Sequence, residues 1–229
     1  MRAIDPNVRL IEATVEMLGD IAESFVFIGG STTGLFITDP ARAPVRATVD
    51  VDVLTETSNM VEYQKLGDRL RNAGFREDRD VICRWLGGQL ILDVMPTNAG
   101  VLGFSNRWYP LAATNYDIAT LPSGRTIRIV TPALFIATKL EAYLGRGKGD
   151  FLRSRDIEDI ITVFDGRQEL VREIQSSTND VRGYIAAEID DLLADAAFAD
   201  NISGQLPPDA RNQGRLEELV RRLRAVAEI

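Results

Sequence analysis

FVFIGGSTTGLFITDPARAPVRATVDVDV, residues 25–53, contains an apolar strand (Phe25–Ile28), a Gly29-Gly30-Ser31 turn, a short helix or loop, and a second strand carrying Asp50 and Asp52. Side chains two apart in a strand share a face. Asp50 and Asp52 are therefore expected to project together, with Val49, Val51 and Val53 filling the opposite face. Two carboxylates on one face repel each other and are tolerated where cations lie between them or water screens them. Gly29 and Gly30 let the chain leave the first strand through backbone angles open to glycine and approach a ligand closely, and Ser31 is placed to open a helix. Free amides at such a start attract phosphate. The segment Thr38–Ala47, with Asp39-Pro40 and Ala43-Pro44, reads as a loop. Arg42 and Arg46, in or beside it, are either solvated loop arginines or phosphate contacts.

Outward from this segment, Val8, Ile11, Val15, Leu18 and Ile21 recur at spacings of three and four, which predicts an amphipathic helix over 7–23. Met60–Ala73 reads as a second helix with Leu66 and Leu70 on one face and Gly74 at its end. Val81–Leu86, a Gly87-Gly88 turn and Gln89–Met95 form a hairpin, the glycine pair supplying the positive φ of a tight turn. In its second arm Asp93 shares a face with Ile91, and is either an edge aspartate facing water or a third carboxylate beside Asp50 and Asp52. Val101–Pro110 is aromatic and irregular, and Phe104, Trp108 and Tyr109 close a core edge or line a base-stacking wall.

A strand over 126–130 then leads to Thr131-Pro132, a helix start whose helix carries Lys139. Ser154 caps a further helix over 155–165 that ends at Gly166 and holds Asp156, Glu158 and Asp159 in its first turns, where the helix dipole favours acids. Helices continue over 168–175, 180–195 and 211–229. The organisation is α+β: an N-terminal mixed β-sheet flanked by helices over 1–130, followed by a C-terminal helical domain or bundle over 131–229.

The 229 residues, 45% hydrophobic, suffice to bury a sizeable core. Twenty-six basic against thirty-four acidic residues leave a net charge of −8, which argues against a broad nucleic-acid-coating surface but not against a local basic cleft. Arg146, Lys148, Arg153 and Arg155, with Arg42 and Arg46, are the candidates for such a cleft. One cysteine, Cys83, forms no internal disulfide and reads as a small buried hydrophobe. No targeting segment or membrane-length apolar run is legible, so a cytoplasmic location without membrane partners is the expectation. With no histidine, Ser-His-Asp and Cys-His schemes are excluded.

A Gly-Gly-Ser turn, an Asp-x-Asp strand and a third aspartate on a neighbouring strand have the parts for two-metal nucleotidyl transfer. Oxygen ligands suit Mg²⁺, with Mn²⁺ as a substitute. In that scheme Asp50 and Asp52 bridge two ions and Asp93 completes one ion site near the attacking hydroxyl. Ser31 with the Gly30 backbone holds terminal phosphates of an NTP, and Lys139 supplies a point charge to the triphosphate.

The string resembles the polymerase-β-type nucleotidyltransferase superfamily, and in particular the AbiEii/AbiGii (MenT-like) toxin family. The likeness lies at Gly29-Gly30-Ser31, Arg46-x-Thr48-x-Asp50-x-Asp52, Asp93, Lys139, and Arg155-Asp156 with Asp159. One departure is the stretch between Ser31 and Asp50, longer than in the compact polymerase-type motif. The resemblance implies an enzyme that moves a nucleoside monophosphate from an NTP to an acceptor, tRNA in the better understood members, usually paired with a cognate antitoxin. It also implies that Lys139 and Asp156 belong to the active site, with Arg46 among the nucleotide contacts; for Asp156 a helix-start role stands equally. Two other readings remain open: the same chemistry on a small molecule or a protein hydroxyl, and a non-catalytic nucleotide-binding module on the same fold.

Overall fold

A computed structural model of the chain describes residues 5–146 and 151–229, and Lys148 lies outside the described residues. The fold is mixed α+β, and the chain forms two compact units: Met1–Leu35 with Arg46–Thr131, and Phe36–Val45 with Pro132–Ile229.

In the first unit the elements run α1 (Pro6–Leu18), β1 (Val26–Ile28), β2 (Val51–Thr55), α2 (Met60–Asn72), β3 (Arg76–Glu77), β4 (Arg84–Gly87), β5 (Leu90–Pro96), α3 (Ala99–Leu102), α4 (Tyr109–Thr114), β6 (Tyr116–Thr120) and β7 (Thr126–Val130). The strands make one seven-stranded sheet of order β3-β4-β5-β2-β1-β7-β6, parallel at β2/β5 and β1/β7 and antiparallel elsewhere. Alternation does what the sequence pattern requires of it. Phe27, Val51, Val53, Trp85, Leu92 and Val94 occupy one face and pack with Val8, Ile11, Val15 and Leu18 of α1 and Tyr63, Leu66 and Leu70 of α2. Asn59 caps α2 by accepting from the Glu62 amide, while the Glu62 side chain accepts from the amide of Ser58, the residue before the cap, and the two bonds fix where this covering helix starts.

Several expectations are corrected. The N-terminal helix stops at Leu18, and Gly19, at φ 55°, turns the chain into a 3₁₀ segment over Gly19–Ser24. Val49 is 66% exposed because β2 begins only at Val51, so it fills no core face. Val81 and Ile82 are exposed in a turn before β4 rather than in a strand. The strands β3 and β6 and the helices α3 and α4 lie in segments read as irregular or passed over.

The second unit holds α5 (Pro132–Gly145), α6 (Arg155–Gly166), α7 (Leu170–Gln175), α8 (Asn179–Ala194), α9 (Ala196–Asn201), α10 (Ala210–Gln213) and α11 (Leu216–Ala227). The segment 36–45 joins these helices by long-range polar bonds. Thr38 and Asp39 amides donate to the Gly166 carbonyl at 3.0 and 2.9 Å, an approach that leaves no room for a side chain at 166, where a Cβ would come within 2.6 Å of Ile37. Arg42 Nε lies 2.6 Å from Asp165 Oδ2 as an ion pair with both side chains buried, and Arg215 Nε donates to the other Asp165 oxygen at 2.6 Å. Arg215 also reaches Asp39 at 2.7 Å.

Removing one partner of a buried pair leaves the other charge without compensation, at a cost of about 3–5 kcal/mol. Asp165→Ala strands Arg42 and is expected to cost that much in urea unfolding. Arg42→Met, which leaves Asp165 its bond from Arg215, costs clearly less. A loss for Asp165→Ala below about 1 kcal/mol, the range of an exposed pair, would remove this cluster from the account of how 36–45 is held.

Candidate functional site

Strand register places the site residues of the αβ unit. Arg84 on β4 pairs with Asp93 on β5, Asp93 with Asp52 on β2, and Asp52 with Ile28 on β1. Paired positions in a sheet share a face, so Arg84, Asp93 and Asp52 form a continuous row on the face opposite the α1 and α2 layer. The row crosses the sheet where β1 ends and the glycine pair begins. Gly29, at φ 74°, lies so close to Asp52 that a Cβ there would fall 2.0 Å from Asp52 Oδ2. This contact is why residue 29 has no side chain. Gly30–Phe36 is a 3₁₀ turn in which the Thr32 amide and hydroxyl both donate to the Gly29 carbonyl, at 3.2 and 2.8 Å. Ser31 is fully buried there, and its hydroxyl makes no hydrogen bond to the protein.

Asp50 stands one residue before β2 and is oriented from two sides. Thr48 Oγ1 donates to its Oδ1 at 2.7 Å, and Arg84 Nη2 lies 3.4 Å from its Oδ2. Thr48 is itself set by Asn7, a fully buried residue of α1. The Asn7 side chain accepts from the Thr48 amide at 2.9 Å and donates to the Arg46 carbonyl at 2.8 Å, clamping the entry to the carboxylate strand. Arg46 enters this clamp through its backbone, and its guanidinium reaches the Ala47 carbonyl at 3.4 Å.

Arg84 is the residue that sequence reasoning missed. Its Nε and Nη2 donate to the two oxygens of Asp93, each at 2.8 Å, in the planar fork that suits a carboxylate. The same Nη2 turns to Asp50. Hydrogen bonding to Asp93 holds the guanidinium's pKa above its ordinary value. Asp93 is no edge residue: it is 8% exposed on an interior strand. Beside it, Cys83 has its thiol pKa pushed up to about 11, by burial first and by the negative charge of Asp93 second, so it remains a neutral thiol.

The oxygen donors of Asp50 and Asp52 have the chemistry that Mg²⁺ or Mn²⁺ takes. Both oxygens of Asp93 are bonded by Arg84, and those of Asp50 by Thr48 and Arg84. Among the described residues no three acidic or cysteine side chains gather closely enough to hold a metal ion.

The remaining candidates belong to the helical unit. Lys139 on α5 is buried, with its ammonium 3.2 Å from Asp156 Oδ1 and 2.7 Å from Asp159 Oδ2. Asp156 and Asp159 are three apart on α6 and so share the side that meets α5. Arg146 donates to the second Asp156 oxygen. Asp156 thus sits both in the first turn of α6, capped by Ser154, and in an ion-pair cluster. Of the basic residues considered for RNA, Arg42 is buried on Asp165 and Arg146 is engaged by Asp156, while Arg153 and Arg155 are exposed.

Gly29→Ala is expected to lower stability by about 1–3 kcal/mol, because alanine resists a positive φ and its methyl displaces the Asp52 carboxylate. A thermal melt of the variant superposing on that of the parent would show that Gly29 and Asp52 do not press together as described.

No protein-family model matches the chain, and no curated protein matches it. Among solved structures it is similar to an antigenic nucleotidyltransferase-like protein from Paracoccidioides brasiliensis, at 15% identity and a TM-score of 0.54 over 89% of this chain and 93% of that one. It is also similar to a candidate nucleotidyltransferase from H. pylori, at 15% identity and a TM-score of 0.49 over 97% of this chain and 93% of that one. At such identity the first likeness is one of fold, and the chain has a nucleotidyltransferase-like fold.

Proposed function

We propose that the chain is a divalent-metal-dependent nucleotidyltransferase. It would move a nucleoside monophosphate from an NTP to an acceptor hydroxyl, with tRNA as acceptor and a cognate antitoxin as partner in a toxin–antitoxin pair. The observation that carries the chemistry is the row of Asp52 and Asp93 with Asp50 beside it, set against the Gly29-Gly30-Ser31 turn. The tRNA and antitoxin parts rest on the resemblance of the motif string to the AbiEii/AbiGii toxins.

In this reading Asp50 and Asp52 hold the ion, which when bound polarises the phosphoryl oxygens. Thr48 fixes the Asp50 carboxylate and Gly29 leaves room for that of Asp52, so both are oriented before substrate arrives. The Ser31 hydroxyl, next to the glycine pair, makes no hydrogen bond to the protein but is fully buried, so its assignment to a phosphate rests on the resemblance. The acceptor oxygen forms the new bond to the α-phosphorus, the bond to the bridging oxygen breaks, pyrophosphate leaves with its electron pair, and the hydroxyl proton passes to solvent. Lys139 and Asp156 are retained as nucleotide contacts on the resemblance alone.

A second acceptor class is favoured by one observation. Arg42, which the sequence offers to RNA, is buried against Asp165 in a protein already carrying a net charge of −8. A small-molecule or protein acceptor needs no such positive approach surface.

The experiment is a transfer assay with each of four α-labelled NTPs, Mg²⁺, and total tRNA or a cell lysate. Label on tRNA from one preferred NTP is expected, with a loss on the order of 100-fold or more in Asp52→Asn, the scale of removing one preorganised charge at a reacting centre. Label on protein or a small molecule replaces the acceptor and keeps the chemistry. An Asp52→Asn variant as active as the parent would sink the assignment.

A further inference from the structure

The seven-stranded sheet ends in two unlike edges. β3 contributes only Arg76 and Glu77, both exposed, a short and charged edge of the kind that resists pairing with another chain. β6, at the other end, runs over Tyr116–Thr120 with Asp117 as its one charged residue and no proline. Among the described residues only β7 bonds to its backbone. Ile118 at its centre is 62% exposed. We propose that β6 is a self-association edge: a second copy of this chain pairs with it antiparallel, about a two-fold axis at Ile118, and joins the two sheets into one. The proposal concerns a surface apart from the carboxylate row and does not depend on the nucleotidyltransferase reading.

The bonds to β7 decide which groups of β6 point outward. The Leu121 amide donates to the Arg125 carbonyl at 2.8 Å, in the register that also pairs Thr120 with Thr126. Hydrogen-bonded and non-hydrogen-bonded pairs alternate along an antiparallel ladder, so Ala119 and Asp117 direct their amides and carbonyls at β7 while Tyr116, Ile118 and Thr120 turn theirs outward. An antiparallel partner has to bond to those outward groups. Setting Ile118 opposite the second copy's Ile118 places Tyr116 opposite Thr120 on both sides, engages every outward group of the strand, and sets Asp117 against Ala119. Sliding the partner by two residues in either direction leaves Tyr116 or Thr120 without a bond, and in one of the two directions it opposes Asp117 to Asp117, like charges face to face. The strand is therefore complementary to itself in one register, and this argues for a second copy as the occupant.

The side chains agree with that register. Tyr116, Ile118 and Thr120 share a face with Val130, Arg128 and Thr126 of β7. Isoleucine against isoleucine and tyrosine against threonine are cross-strand pairs that stabilise antiparallel sheets. Arg128 holds its guanidinium 4.9 Å over the Tyr116 ring, so the ring is oriented before a partner arrives. An interface one strand wide lies at the small end of specific association, so the dimer forms in the micromolar range and exchanges readily. Each copy carries a net charge of −8, and association tightens as salt screens that repulsion.

Sedimentation velocity on the full chain over a micromolar concentration series tests this without turnover. The wild type is expected to move from monomer to dimer along the series. Ile118→Lys and Ile118→Glu, each setting like charges opposite one another, lose the dimer, and a mixture of the two variants regains it as a heterodimer because the two-fold brings the residues at 118 together. Ile118→Cys gives a covalent readout: opposed hydrogen-bonded residues lie about 5.5 Å apart at Cα, within disulfide reach, so mild oxidation links two chains. The parent chain, whose one cysteine is buried, stays unlinked as the control. Thermal melts that match the parent's supply the folding control, and the Ile118→Cys link stands as the test should the charged variants not fold. A wild type that stays monomeric throughout the series, a dimer untouched by Ile118→Lys, a mixture of the charged variants that does not associate, or an Ile118→Cys chain that does not link would each overturn the inference.

Discussion

Two carboxylates side by side on one face of a sheet are the constraint from which the αβ unit's arrangement follows. Asp52 and Asp93 occupy paired positions on adjacent parallel strands, where like charges oppose pairing by a few tenths of a kcal/mol to about 1 kcal/mol. A cation in the row and a strong reason to keep the register offset this cost. Arg84 supplies the first. The second comes from the other face, where Phe27, Val53, Val94, Leu92 and Trp85 are buried under α1 and α2. Slipping β5 by one residue would send Asp93 into that apolar layer and Leu92 and Val94 out of it, so the core fixes the place of each charge.

Much of this was legible because strands and helices have short periods. Alternation over 49–53 placed Asp50 and Asp52 on one face, and the Ser154 cap with Gly166 bounded α6 near its observed limits, whereas the spacing pattern over 7–23 ran past the end of α1 at Leu18. The misses follow from interactions that no local pattern carries. Val49 continues the alternation in sequence, yet β2 starts after it, because Asn7 holds residues 46–48 in a clamp from α1. The segment 36–45 reads as a connection between two strands of one sheet. Its actual partners are Gly166, Asp165 and Arg215, more than a hundred residues away, and a buried ion pair between residues so distant leaves no trace in either neighbourhood. Strand β6 pairs only with β7 and sits at the sheet edge with its side chains half-buried or exposed, so it lacks the alternation that marks an interior strand.

Arg84 is a different kind of miss, for its signal was present. A two-residue turn at Gly88-Gln89 sets Gly87 opposite Leu90, and counting back along both arms puts Arg84 opposite Asp93. Reading the glycine pair itself as the turn, with the first arm ending at Leu86, shifts the count and hides the pairing. Strand period grouped Asp50 with Asp52 and left Asp93 either beside them or at an edge. Their counter-charge required the hairpin register as well.

Lys139 and Arg84, each set against a pair of carboxylates, differ in what it would take to move them. Lys139 is a compact ammonium buried between Asp156 and Asp159, both also buried, so drawing it away takes a positive charge from between two acids in the interior of the helical unit. Arg84 has a planar head and a quarter of its side chain at the surface, and Asp50 beside it is exposed to a similar degree. Moving its head also uncovers a buried acid, Asp93, but leaves the guanidinium itself partly in water. A phosphate that drew on Lys139 would have to compete with two carboxylates already within 3.2 Å, whereas a phosphate approaching the strand row meets Arg84 partly open to solvent. Of these two cations the more readily exchanged is therefore the one on the sheet, and the ammonium that the motif string singles out is tied to the packing of α5 on α6.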